Sequence, residues 1–223
     1  MTPDCNDADD RQAIVDTLRL MCSRGLNTGT AGNASVRTRD GMLITPTGVA
    51  ADRLHRDDIV HLTLEGAAEP GQLKPSSEWR MHAAVYVRKP DAGAIVHCHS
   101  PYATTIACTR QPIPAMHYMV AAAGADHIPL ADYARFGSEA LSRNTVNALA
   151  RTRACLLANH GQIALGASLA DALALAELVE EQARIYWGTL AVGGPVLLDE
   201  TEMAAVTAAF ASYGQQDQDS RET

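Results

Sequence analysis

The sequence predicts a layered α/β domain whose sheet is not purely parallel. Segments of helical and of strand periodicity alternate along the whole chain, which points to helices packed on a sheet. The strand candidates at 34–39 and 42–48 are separated by a turn far too short for the crossover that parallel neighbours need. Composition supplies the third observation: 47% of the 223 residues are apolar and 20% charged, a balance that suits a chain with a buried core rather than a disordered one. Aromatic residues are only 4%, so that core has to be built from Ala, Leu, Val and Ile.

Taken in order, residues 9–24 carry Ile14, Val15, Leu18, Met21 and Cys22 at helical spacing, and Gly25 marks the stop. The run LNTGTAGN (26–33) is a Gly-rich loop. Residues 34–39 and 42–48 pair as a hairpin around Asp40-Gly41, and 58–64 is a further strand. The run 76–89 opens on Ser76 and Ser77, has apolar residues at helical spacing and stops before Pro90; it predicts a Ser-capped helix. A strand at 94–100 and a short helix over YATTIACTR follow. Residues 137–150 are helical, 154–161 and 162–166 are strands, 169–191 is the longest helix and 201–212 the last. One domain over 1–214 is expected, with a polar tail at 215–223.

The formal net charge of −8 argues against nucleic acid as a partner, because the phosphate backbone needs a basic face. It leaves room for one small anion, which a few N–H and hydroxyl groups can hold. The five cysteines, Cys5, Cys22, Cys98, Cys108 and Cys155, are scattered and odd in number, a pattern of free thiols in a reducing compartment. The first residues lack the basic and apolar regions of a secretory signal, and no run is long and apolar enough for a membrane span. A soluble cytoplasmic protein is expected.

His97 and His99 stand two apart in a predicted strand, so both side chains point to one face and Cys98 to the other. His160, in LLANHG, ends another strand and is followed by a glycine that permits close approach. Three imidazoles and one carboxylate satisfy a tetrahedral zinc site. Glu78, at the start of the Ser-capped helix, is a candidate for the carboxylate; His82 shares its helix face, and His55, His61, His117 and His127 occur singly. Spacing alone leaves the fourth ligand open.

The strings GLNTGTAGNASVR (25–37), MLITPTG (42–48), KPSSEWRMH (74–82), AIVHCHS (94–100), IPAMHYMVAAAG (113–124) and ANHGQIALG (158–166) resemble, in order and spacing, segments of the class II aldolase/adducin family. YARFG (133–137) and FASYG (210–214) extend the likeness, which is closest to the L-fuculose-phosphate aldolase branch. The resemblance implies a three-layer α/β/α domain around a central, largely antiparallel sheet. It implies one Zn²⁺ per subunit held by Glu78, His97, His99 and His160, and a homotetramer with active sites at subunit interfaces. The expected reaction is cleavage of a ketose 1-phosphate to dihydroxyacetone phosphate and an aldehyde through a metal-stabilised enediolate.

The same resemblance assigns Glu78 a second role as proton carrier, Tyr118 a role at the aldehyde oxygen, and Tyr213 a role from the adjacent subunit. Gly32, Asn33, Thr47, Gly48, Ser76 and Ser77 match the family phosphate pocket, and Phe136 and Phe210 are candidates for an apolar wall around the aldehyde. Lysines are rare, only Lys74 and Lys89, which favours the metal route over a Schiff base. The competing readings are a sugar-phosphate epimerase, dehydratase or decarboxylase on this fold, and a non-catalytic adducin-like interaction module.

Overall fold

The structure, a computed structural model, describes residues 5–210. Their strands are β1 (Asn33–Arg37), β2 (Met42–Ile44), β3 (Val60–Leu62), β4 (Ala94–Cys98), β5 (Leu130–Ala131), β6 (Ala154–Leu157) and β7 (Gly161–Gly166). They form one sheet in the order β3-β2-β1-β4-β7-β6-β5. All neighbours are antiparallel except β5 and β6. The helices are α1 (Cys5–Ser23), α2 (Trp79–Arg88), α3 (Pro101–Cys108), α4 (Glu139–Ala148), α5 (Leu169–Ala191) and α6 (Glu200–Phe210).

Strand alternation divides the core in two. Ala94, Val96 and Cys98 of β4, with Ala154 and Leu156 of β6, pack with residues of α1, α3 and α5. Ile95, Cys155 and Leu157 face the other way, against Met81 and Val85 of α2 and Leu141 of α4. The expected three layers, helix on sheet on helix, are therefore present. His97 follows Ile95 to the α2 side of the sheet.

Small residues let α5 lie close to the central strands. A Cβ on Gly93 would come within 2.0 Å of the Ala167 carbonyl, just before α5 begins. There Ser168 accepts from Asp171 N while the Asp171 carboxylate accepts from Ser168 N, a reciprocal cap that contributes about 1 kcal/mol. Among the described residues Cys22, Cys98, Cys108 and Cys155 are free thiols, and no helix is long and apolar enough to cross a membrane.

Several boundaries differ from the pattern-based expectation. The helix expected over 76–89 starts only at Trp79, with Glu78 rather than a serine at its N-cap. The reason is that Ser76 N donates to Thr45 O and Thr47 N to Lys74 O, which keeps residues 74–76 extended beside 45–47. His99 lies just past β4, and His160 sits in the turn between β6 and β7 rather than in a strand. The 3-10 helix Tyr118–Ala123 and the two-residue β5 are too short for periodicity to reveal. The end of the predicted 201–212 helix, Tyr213 and the 215–223 tail lie outside the described residues.

Candidate metal centre and cleft

Two neighbouring strands and one helix start bring four side chains together. His97 is carried by β4, His99 by the residue after its end, His160 by the β6–β7 turn and Glu78 by the N-cap of α2. Glycine at 161 is required by close approach: a Cβ there would lie 2.4 Å from the Cys98 carbonyl and 3.1 Å from the His99 ring. One ligand atom from each of Glu78, His97, His99 and His160 falls within 4.8 Å of all the others. His97 Nε2 is 3.0 Å from Glu78 Oε2 and 3.1 Å from His99 Nε2, and His160 Nε2 is 3.4 Å from Glu78 Oε1. The three rings meet edge-on, with centroids 4.8–5.0 Å apart and planes inclined at 70–72°, like blades around one point.

The donor chemistry of this cluster suits a cation. His97 Nδ1 donates to the Gln162 carbonyl at 2.8 Å, so its Nε2 is the nitrogen turned to the centre, and a partner behind the ring orients it. Among the described residues Glu78 Oε1 is buried without a hydrogen-bond partner, an orphan acceptor of the kind that calls for an explanation. Burial pushes the Glu78 carboxyl up, but His97, His160 and the amide of Asn33 more than reverse this and hold it below the usual carboxylate range. For His97, burial acts downward and the Glu78 carboxylate outweighs it, so the ring is held up. Burial, and then the charge of His97, bring His99 down to about 4 and His160 to about 3. Both therefore present lone pairs at neutral pH, as metal ligation requires.

His82, fully buried, is likewise pulled down to about 3, chiefly by burial. These shifts give stability a direction with pH. Unfolded imidazoles protonate near about 6.5, whereas His82, His99 and His160 stay neutral in the fold until about 3–4. Acidification below about 6.5 thus adds protons to these rings only when the chain unfolds, and each destabilises the fold by at most about 1.4 kcal/mol per pH unit. His97 alone acts in the opposite sense, its raised value favouring the folded state as pH falls. With a chelator present, the urea midpoint is expected to be lower at pH 5 than at pH 7; an equal or higher midpoint at pH 5 would contradict these environments.

Above the cluster lies a cleft of about 320 Å³. All six residues expected to bind phosphate, Gly32, Asn33, Thr47, Gly48, Ser76 and Ser77, line it together with Glu78, His99 and His160. Thr47, Gly48 and Ser77 are exposed to solvent, and among the described residues no Lys or Arg lines the cleft. Hydroxyls, glycine backbone and the start of α2 thus form an uncharged cradle next to the cluster of Glu78 and the three histidines. Asn33 is a special case. Its side chain is buried and committed at both ends, to Glu78 and to His82.

Phe136 lines the cleft as expected, but Tyr118 and Phe210 do not. Tyr118 is half-exposed at the start of the 3-10 helix and stacks on Phe210, with ring centroids 6.5 Å apart. Residues that the sequence patterns did not single out also converge here. Asn27 accepts from His99 N at 3.0 Å and packs directly under Gly32; Tyr133 and Asn159 line the cleft. The Asn in GLNTG carried a recognisable signal, since a polar residue opening a Gly-rich loop often anchors it.

The family model for the Class II Aldolase and Adducin N-terminal domain matches residues 12–187. The chain is 48% identical over 204 residues to a 5-methylthioribulose-1-phosphate/5-deoxyribulose-1-phosphate aldolase of Rhodospirillum rubrum, covering 92% of each protein. It is 48% identical over 202 residues to an L-fuculose phosphate aldolase of Escherichia coli strain K12, covering 90% of this chain and 94% of the relative. Its fold superposes on a solved L-fuculose 1-phosphate aldolase with a TM-score of 0.88 at 38% identity, over 91% of this chain and 96% of that one. The matched stretch contains Glu78, His97, His99 and His160, and with it the chain belongs to the class II aldolase and adducin family.

Proposed function

We propose that the protein is a zinc-dependent aldolase that reversibly cleaves a ketose 1-phosphate, L-fuculose 1-phosphate or a related 5-deoxypentulose phosphate, to dihydroxyacetone phosphate and an aldehyde. The observation that carries this reading is the convergence of three imidazoles and one carboxylate beside a cleft walled by hydroxyls and glycines. Three nitrogens and one oxygen suit a tetrahedral Zn²⁺. When bound, such an ion supplies a Lewis acid for the oxygens next to the breaking carbon–carbon bond.

The remaining work falls to the chain's own residues. Ser76, Ser77, Thr47 and the backbone around Gly32 and Gly48 hold the phosphate end and so set the distance from phosphate to carbonyl. Glu78 Oε2 is held by the Asn33 amide at 3.1 Å; Oε1, buried without a hydrogen-bond partner among the described residues, is the oxygen able to take up or return the proton of the enediolate carbon. Neither Lys74 nor Lys89 lines the cleft, which weighs against Schiff-base chemistry. Tyr118 and Tyr213 serve the aldehyde oxygen from a neighbouring subunit of a homotetramer. Half the surface of Tyr118 is exposed and its ring lies outside the cleft of its own chain, which supports a role across an interface. Light scattering should then give the mass of four chains.

The deciding experiment offers the zinc-loaded protein dihydroxyacetone phosphate with a panel of short hydroxy-, methyl- and methylthio-substituted aldehydes. Condensation to a ketose 1-phosphate of defined stereochemistry is expected. A zinc-loaded protein that consumes no dihydroxyacetone phosphate with any aldehyde would overturn the reading, and conversion of a pentulose phosphate to its isomer without release of triose phosphate would favour the epimerase.

A further inference from the structure

The buried side of α2 that faces β1 is polar. Glu78, His82 and Tyr86 recur every four residues on α2, while Asn33, Ser35 and Arg37 recur every two on β1, and the two rows interdigitate. Asn33 sits between Glu78 and His82: its Nδ2 donates to Glu78 Oε2 at 3.1 Å and its Oδ1 lies 2.5 Å from His82 Nε2. Ser35 sits between His82 and Tyr86, its Oγ 2.7 Å from His82 Nδ1 and 2.8 Å from the Tyr86 hydroxyl. Arg37 closes the row, its guanidinium 4.6 Å over the Tyr86 ring and its nitrogens donating to the carbonyls of Tyr86, Lys89 and Ala92.

The donors in this row have one consistent direction. An ionised carboxylate only accepts, so Asn33 turns its amino group to Glu78 and its carbonyl to His82. His82 must then carry its proton on Nε2, which leaves Nδ1 to accept from Ser35, and Ser35 in turn accepts from Tyr86. Every member from Glu78 to Tyr86 is buried, so a reversed amide would set its carbonyl oxygen against a carboxylate with no water to intervene.

We propose that His82 is a positioning residue for Glu78: through Asn33 it holds Oε2, the carboxylate oxygen beside His97, and so fixes how the carboxylate faces the histidine cluster. This rests on the reading of Glu78 as a metal ligand and proton carrier. Conserving the ring's volume without its donor, as in His82→Met, releases the Asn33 amide to turn. Loss of such a partner behind a ligand typically weakens metal binding or turnover by about 10–100-fold.

The test compares wild type, His82→Met, His82→Gln, Asn33→Ala and the His82→Met/Asn33→Ala pair for zinc affinity by chelator competition, kcat, KM and thermal midpoint. His82→Met should lose about 10–100-fold in zinc affinity and in kcat with KM little changed. His82→Gln, whose amide can still donate to Asn33, should recover most of the loss. The double variant should be no worse in kcat or zinc affinity than Asn33→Ala alone, since His82 acts through Asn33. A folded His82→Met protein with wild-type zinc affinity and kcat would overturn the proposal, as would fully additive losses in the pair. If His82→Met does not fold, Ser35→Ala, which removes the donor to His82 together with the acceptor of the Tyr86 hydroxyl, should lower the same two quantities several-fold, and no change in either would be equally fatal. A wild-type protein that binds no zinc would instead defeat the reading of the site itself.

Discussion

A His97→Ala chain is expected to purify without bound zinc and to cleave ketose phosphate at least about 10³-fold more slowly than wild type. His97 is the hub of the cluster, within 3.0 Å of Glu78 and 3.1 Å of His99. Its removal takes away one of four donors. A Lewis acid at the carbonyl oxygen contributes several kcal/mol to such a reaction, which corresponds to about three decades of rate. The same change strips the buried Glu78 carboxylate of its nearest counter-charge, so a stability loss of about 3 kcal/mol is also expected. His99→Ala separates the two effects. His99 is only partly buried, so that variant should lose metal and activity with a smaller drop in thermal midpoint. Elemental analysis of both purified variants, with circular dichroism to establish folding, checks the assignment; tight retention of one zinc per chain by either would refute it.

Replacing Glu78 with glutamine is expected to leave part of the zinc in place and to slow turnover about 10²–10⁴-fold, the usual worth of a positioned proton carrier. The substitution keeps the shape of the side chain and one coordinating oxygen but cannot accept a proton. A second readout isolates that step. In deuterated water the wild-type enzyme should exchange one hydrogen at the hydroxymethyl carbon of dihydroxyacetone phosphate without any aldehyde, and Glu78→Gln should lose this exchange. Near-normal exchange in a zinc-containing Glu78→Gln protein would assign the proton to another group.

Much of the fold was legible because long periodic segments dominate it. Helix 169–191 was read to the residue from its apolar pattern, and the hairpin around Asp40-Gly41 from alternation and turn chemistry. The H-x-H pair was legible for the same reason, since a period of two sends His97 and His99 to one side. What escaped were features set by contacts distant in sequence. The start of α2 moved to Trp79 because residues 74–76 bond to residues 45–47, which no local signal records. The fourth ligand stayed open on spacing alone among Glu78, His82 and the single histidines, and Glu78 and His82 lie on the same side of α2. The structure gives the two different settings: Glu78 lines the cleft, whereas His82 is enclosed between Asn33 and Ser35. The polar face of α2 went unread, although E-x-x-x-H-x-x-x-Y against N-x-S-x-R contains both periods.

Those two periods work as a vernier. Four residues of helix advance about 6.0 Å and two residues of strand about 6.8 Å, so two such scales laid side by side stay in step for only three rungs before drifting apart. Three rungs are what this chain has, ending at Glu78 on one side and Arg37 on the other. A helix seated by such a scale cannot creep along its strand by one residue without every rung losing its mate. The height of the carboxylate above the sheet is thereby machined in advance, before anything enters the cleft.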